Sequence, residues 1–256
     1  MRALTAIGLT LLLASCTLFG DKKDPVEKWS EDKLYSEAKS ALASEYYEKA
    51  IEYYEKLQTR YPFGDFSKQA QLDLAYAYYK TEESASAIAA CDRFIKLYPT
   101  SPHVDYAYYL KGLANSNQGK GLAQRYLPSD PSQRDPGASL QAFRDFAELT
   151  KRFPNSRYIR DVRKRMMYLR NILAQHEVNV ANFYLWRGAF LAAANRALYV
   201  VENYQQAPAM PEALALLVRA YKALQLEELA ADTLRVLERN YPNHPRVVDV
   251  NGLVVK

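Results

Sequence analysis

The sequence predicts an all-α protein, a right-handed solenoid of five helix pairs, and three observations carry that prediction. An aromatic residue followed by proline recurs at Tyr61-Pro62, Tyr98-Pro99, Phe153-Pro154 and Tyr241-Pro242, with a looser Tyr204…Pro208. Each follows a helical run, which proline cannot continue because it lacks the N–H and its ring meets the preceding turn. Pro62 and Pro99 lie 37 residues apart, the scale of one helix pair in a repeat array. Counting back from the prolines, alanine falls where paired helices would touch, at Ala50, Ala87 and Ala230. A larger side chain would overpack such a contact.

Taken in order, the first pair places Ala38 and Ala50 at the close contact, with Tyr54 and Leu57 following. The second places Leu74, Ala75, Tyr78, Ala87 and Phe94. In the third, Tyr106, Ala107 and Leu110 mark the first helix and Ala142, Phe146 and Leu149 the second. Between them an insert at about 115–137, "NQGKGLAQRYLPSDPSQRDPG", is rich in Gly, Pro, Ser and Asp and reads as a loop. Loops this long in a compact array are often functional. The fourth pair has a long first helix, about Tyr158 to Tyr184, and a second from Ala189 to Tyr204 with Ala193 in the small slot. Tyr204-Gln205-Gln206-Ala207-Pro208 then departs from the aromatic–proline rule, which leaves the geometry of that turn open. The fifth pair supplies Leu217, Tyr221, Ala230 and Leu237. These leucine, small, tyrosine, alanine and aromatic slots resemble the tetratricopeptide pattern, whose repeats stack into a continuous core. Repeats one to three occupy 30–154, repeats four and five 155–245, and 246–256 is a tail.

Ahead of the solenoid stands "MRALTAIGLTLLLASC". Arg2 gives a positive start and Leu4 to Ala14 an apolar core of about eleven residues, the form of a signal peptide over 1–15. A spanning helix needs roughly 20 apolar residues, so this run is too short to remain as an anchor. Leu13-Ala14-Ser15-Cys16 resembles the bacterial lipobox, in which the cysteine sulfur takes a diacylglyceryl group and becomes the mature N-terminus. The alternative is an ordinary secretory signal in which Cys16 falls by chance. One acyl chain holds a protein on a bilayer only marginally, whereas two or more hold it stably. Threonine rather than aspartate at position 17 implies, by the same resemblance, the outer membrane. Residues 16–29 then form a lipidated N-terminus and polar tether. Cys91 is left without a partner, and in its alanine-rich helix it reads as a small core residue.

A net charge of +5 is mild for 256 residues and points to no nucleic acid. The chain has no G-x-S-x-G, H-E-x-x-H, P-loop or dinucleotide fingerprint, so no enzymatic activity is expected. His103, His176 and His244 form no ligand-spaced cluster, and no metal or cofactor is expected beyond the covalent lipid on Cys16. The segment from Lys151 to Arg170 carries Lys151, Arg152, Arg157, Arg160, Arg163, Lys164, Arg165 and Arg170 against Asp161 alone. It reads either as a solvated helix face or as a contact for an acidic protein surface or phosphorylated lipid, with nucleic acid a third choice that only a competence role would revive.

The 21 tyrosines against nine glycines suit half-buried, peptide-binding surfaces. First helices build the concave face of such a repeat, and the count puts Tyr35, Lys39, Leu72, Tyr76, Tyr79, Lys80, Tyr108 and Lys111 along an N-terminal groove. Aromatic residues with lysines suit an extended peptide whose terminal carboxylate meets the ammonium groups. The alternative is that these tyrosines pack between helices.

Several stretches go further: "YPFG" at 61–64, "QLDLAYAYYK" at 71–80, "RDP" at 134–136, "FPNS" at 153–156 and "RGAFLAAANRA" at 187–197. In this order and spacing, with the lipobox and five repeats, the chain resembles the D-subunit lipoprotein family of the outer-membrane β-barrel assembly machinery, also described as competence lipoproteins. The resemblance implies a non-enzymatic scaffold, lipid-anchored to the outer membrane on its periplasmic face and working beside accessory assembly lipoproteins. It implies that C-terminal repeats contact the integral barrel subunit. The family's partner-contacting arginine corresponds to Arg196, within Asn195-Arg196, and Arg187 is a neighbour. It further implies that the N-terminal repeats receive the C-terminal targeting strands of unfolded outer-membrane proteins, which end in an aromatic residue and a free carboxylate. An alternative is a tetratricopeptide lipoprotein adaptor coordinating peptidoglycan enzymes or envelope growth, which would lack the "RDP" insert and the RGAF…NR helix. A peptidoglycan hydrolase would need a catalytic constellation that the sequence lacks.

Overall fold

A computed structural model describes residues 25–118 and 130–247. Among them are ten α-helices, two short 3-10 turns and no strand. The chain divides into two units, Met1–Ala70 and Gln71–Lys256.

The first unit holds α1 (Glu31–Ala43), α2 (Tyr47–Arg60) and the start of α3 (Ser67–Lys80). Helix α1 starts where it does because the Ser30 hydroxyl accepts from the Lys33 N–H at 3.3 Å, and Glu31 and Asp32 complement the positive end of the helix dipole. Leu34, Ala38 and Ala41 turn inward from α1, and Ala50, Tyr54 and Leu57 from α2. Residues 25–29, expected in the tether, belong instead to this folded unit. Arg60 donates to the carbonyls of Val26 at 2.8 Å and Trp29 at 2.6 Å, Val26 is buried, and the Trp29 ring lies 5.3 Å from that of Tyr53.

The second unit continues α3 and adds α4 (Ser84–Leu97), α5 (Val104–Asn117), α6 (Gly137–Arg152), α7 (Ile159–Trp186), α8 (Phe190–Asn203), α9 (Met210–Ala223) and α10 (Glu227–Asn240). From α4 onward each helix packs on the next, and α7 also meets α9. Every small slot read from the sequence is in the core: Ala38, Ala50, Ala75, Ala87, Ala107, Ala142 and Ala193 have no exposed surface, and Ala230 keeps 2%. Cys91 is buried beside Ala75 and Leu110, and burial pushes its thiol well above the ordinary range.

Two turns recur. Within four of the pairs the first helix ends in a left-handed residue, Glu45, Glu82, Gly188 or Gln225. That residue bonds back three positions, and the next bonds back five, as Tyr46 does to Ala41 at 2.9 Å and Leu226 to Tyr221 at 2.9 Å. This double closure satisfies carbonyls that the helix end leaves open. Between pairs, the aromatic residue itself closes the helix. Its carbonyl then accepts the N–H three residues on, whose own carbonyl accepts three residues further: Tyr98, Ser101 and Val104, for example, at 3.0 and 3.1 Å. Phe153, Tyr204 and Tyr241 start the same relay. Tyr204 has φ −128° and ψ 39°, close to −129° and 55° at Tyr98, so the turn forms without proline.

The long insert is shorter as a loop than 115–137. Asn115 belongs to α5 and is buried, donating to Asp145 at 2.6 Å. Residues 119–129 lie outside the described residues, and from Asp130 the chain docks on α7. Ser132 is buried there, its carbonyl 2.9 Å from His176 Nδ1 and its hydroxyl accepting from Asn179 at 2.9 Å. The start of the tail is also held, since Arg246 donates to Glu212 at 2.8 Å and Val247 joins the last core cluster.

Candidate functional site

The fourth repeat positions the residues expected to meet a partner. Gly188 makes the sharp reversal between α7 and α8, with φ +74° and open space where a Cβ would lie. Arg187 caps α7 on the exposed side of this turn. Along α8, Ala193, Ala194, Ala197 and Val200 face the core. The intervening face is left to Leu191, Asn195 and Tyr199, four residues apart and therefore in one stripe, with Arg196 beside them. Arg196 is 48% exposed and donates from Nη1 to Glu177 Oε2 at 3.0 Å, while Glu177 keeps 14%.

The sequence had not marked the apolar part of this surface. Leu191 is 64% exposed, Trp186 80%, Phe183 55% and Tyr199 44%. The Phe183 and Trp186 rings stand 6.4 Å apart. Exposed apolar side chains gathered near one turn make this surface a candidate for interaction. Their type alone gave no signal, because apolar residues are assigned to the core by default.

The expected N-terminal groove fares differently. Tyr35 and Lys39 belong to the first unit, where Tyr35 is half-buried, stacked 4.4 Å from Phe66, and Lys39 is exposed. In the second unit Tyr76 and Tyr79 are half-buried and Lys80 exposed. Leu72 and Tyr108 are corrected to the core: Leu72 is 3% and Tyr108 9% exposed, in one cluster with Phe94 and Phe146. Lys111 is also corrected. Its amine sits 2.7 Å from Asp92 and 3.5 Å from Asp145, so two carboxylates already claim it. Burial would lower the Lys111 pKa, but these partners hold it above the ordinary value. Asp145 is shifted upward by burial even though Lys111, Asn115 and Gln141 all favour its charge. The group is an internal strut between α4, α5 and α6.

Cys16 lies outside the described residues. Among the described residues no helix is long and apolar enough to cross a membrane, and no His, Cys, Asp and Glu group could hold a metal ion.

The family profile described as YfiO: Outer membrane lipoprotein matches residues 27–237. The chain is 44% identical over 247 residues to the outer membrane protein assembly factor BamD of Neisseria meningitidis serogroup B, covering 95% of this chain and 92% of that one. It is 39% identical over 224 residues to the BamD of Xylella fastidiosa, covering 88% and 76%. It is 38% identical over 234 residues to that of Vibrio cholerae, covering 91% and 97%. The structure of the TPR2AB-domain:pHSP90 complex of yeast Sti1 aligns over 86% of this chain and 81% of that one. At 14% identity and a TM-score of 0.44, that likeness is too loose to bear on function.

Proposed function

Because the chain belongs to the YfiO outer membrane lipoprotein family, we propose that it is a non-enzymatic assembly factor for outer-membrane β-barrel proteins. It acts from the periplasmic face, held by lipid on Cys16, in company with accessory assembly lipoproteins. Its fourth repeat binds the integral barrel subunit, with Arg196 pairing an acidic residue of that subunit and Asn195 and Arg187 flanking it. Its N-terminal repeats receive the C-terminal strands of unfolded barrel substrates, with Tyr35 and Lys39 taking part in the first unit and, separately, Tyr76, Tyr79 and Lys80 in the second.

The observation that carries the partner reading is the position of Arg196. A half-exposed guanidinium stands beside the exposed Leu191 and Tyr199, the combination in which interface hot spots occur. The test is crosslinked recovery from native outer membranes. A large integral β-barrel with periplasmic domains should be captured, and Arg196→Glu should reduce its yield by placing like charges together. Recovery of peptidoglycan enzymes without that barrel would overturn the assignment. For the substrate site, Lys39→Ser with Lys80→Ser should weaken binding of a barrel protein's C-terminal peptide. Binding indifferent to amidation of the peptide's carboxylate would remove the clamp.

A further inference from the structure

The first half of α7 carries a surface that the partner reading leaves unused. Arg160, Arg163 and Lys164 are exposed, followed by Met167 at 54% and Tyr168 at 60% exposure. Their spacing of three and four residues sets them on one helix face, about 12 Å long at 1.5 Å per residue. None of the three cations forms a salt bridge among the described residues. The carboxylate of this stretch, Asp161, is engaged elsewhere: Arg165 donates to it at 2.5 Å and Tyr109 at 2.7 Å. Among the described residues the stripe therefore keeps a net positive charge, since the Asp161 carboxylate that also attracts Lys164 is already held by Arg165 and Tyr109.

Tyr168 also lines a cleft of about 650 Å³ with Leu169 and Ile172 on its apolar side and Arg134, Asp135 and Arg165 on its charged side, two cations to one carboxylate. The stripe and the cleft lie on adjoining faces of one helix and share that tyrosine. Arginine forks suit carboxylates and phosphates alike, so charge alone does not choose between an acidic protein segment and an anionic membrane. Shape does. A flat bilayer can meet the stripe but cannot enter a cleft, whereas an extended chain can lay carboxylates on the stripe and turn an apolar side chain inward.

We propose that the Arg160–Tyr168 face of α7 is a docking site for an acidic protein segment that carries an apolar side chain next to its carboxylates. This surface is separate from the α7–α8 turn, and the proposal stands whether or not Arg196 contacts the barrel subunit.

The probe is a fluorescein-labelled peptide, Glu-Glu-Leu-Glu-Glu-Phe, titrated against the full chain in neutral detergent micelles. Binding should fall at least tenfold for Arg160→Ser/Arg163→Ser/Lys164→Ser, and by a similar factor for the peptide with glutamine in place of glutamate. Met167→Ser/Tyr168→Ser should weaken it severalfold with no change in salt dependence, whereas raised salt should weaken the wild-type complex by screening. All five side chains are exposed, so unfolding midpoints should stay put and show that the variants are folded. Equal affinity of the triple variant for the peptide overturns the proposal. So does a chain that ignores the peptide but binds micelles doped with phosphatidylglycerol through the same three cations, which would make the face a membrane contact.

Discussion

Arg196 on α8 reaches across to Glu177 on α7, Nη1 to Oε2 at 3.0 Å, and Glu177 is by far the more buried of the two. The arginine expected to face a partner is thus also an internal tie within the fourth repeat. Charge reversal at 196 therefore changes two things at once, since it leaves two carboxylates facing each other across the helix pair. The exchange Glu177→Arg/Arg196→Glu restores the internal pair while keeping the outward charge reversed. Arg196→Glu alone should lower stability by about 1 kcal/mol, given the modest worth of half-exposed pairs, and the exchange should recover most of it. Urea unfolding reads the first effect and co-purification of the barrel subunit the second. Recovery of both together by the exchange would make Arg196 a purely internal residue.

The α5–α6 contact depends on one missing methyl group. A Cβ on Gly112 would clash with the ring of Phe146, which has no exposed surface. Alanine is favoured over glycine within a helix by about 1 kcal/mol. Overpacking a closed core costs about 1–3 kcal/mol, so the clash should win and Gly112→Ala should lower the unfolding midpoint. Adding Phe146→Leu should return part of the loss. A stabilised Gly112→Ala chain would mean that the two helices separate freely.

How far the sequence disclosed this molecule depends on the distance between interacting residues along the chain. The alanine slots and aromatic turns were legible because each acts within its own pair at fixed spacing. Docking of residues 25–29 was not, since Arg60, which holds Val26, is 34 positions away. Nor was the fate of Lys111, whose partners come from α4 and α6. Groove and core on a helix are separated by single steps of about 100°, which is why Leu72 and Tyr108 were placed outside while the structure puts them within. The exposed Phe183 and Trp186 had no sequence signal, because exposure is decided by what the fold leaves uncovered.

The left-handed helix ends give a matched pair of substitutions. Gly188 has φ +74° with nothing within 4 Å of a built Cβ, so Gly188→Ala meets only backbone strain and should lose about 1–2 kcal/mol. Gln225 holds φ 60° with a full side chain, so Gln225→Gly relieves that strain. Part of the gain is offset by the greater freedom of glycine in the unfolded chain, leaving up to about 1 kcal/mol. Thermal unfolding should move in opposite directions for the two, and movement in the same direction would refute the account.

Alkaline pH should unfold this protein through its phenols. Burial, with the Asp161 hydrogen bond second, raises the Tyr109 pKa from 10.0 to about 12. Burial, with the charge of Tyr199 second, does the same for Tyr204, and burial raises Tyr106 further. A phenol with a higher pKa in the folded chain stabilises the fold fully below its unfolded value and stops doing so as pH rises through its folded value. Urea midpoints should therefore begin to fall from about pH 9, as the Cys91 thiol ionises in the unfolded chain alone, and fall most steeply between about 10 and 12 as the phenols follow. Phenolate absorbance should show a late-titrating subset that merges with the rest on unfolding. Titration of every tyrosine as one ordinary group would contradict this.

The turn after α8 keeps the hydrogen-bonded relay of its counterparts without their proline. The Ala207 N–H meets the Tyr204 carbonyl at 2.8 Å and the Met210 N–H meets the Ala207 carbonyl at 3.0 Å, as Ser101 and Val104 do after Tyr98. Tyr204 already has nearly the non-helical backbone that Tyr98 adopts ahead of Pro99, with ψ 39° against 55°. Gln205→Pro should therefore be accepted in the folded chain and remove freedom from the unfolded one, raising stability by about 0.4–1 kcal/mol. The same change inside a helix would cost about 3 kcal/mol, so the two outcomes are well separated. A higher melting midpoint for Gln205→Pro would show that the relay sets the turn and that proline, where present, only stiffens it. A loss of several degrees would mean that the Gln205 N–H or its φ is needed here, and that this turn differs from the others despite sharing their hydrogen bonds.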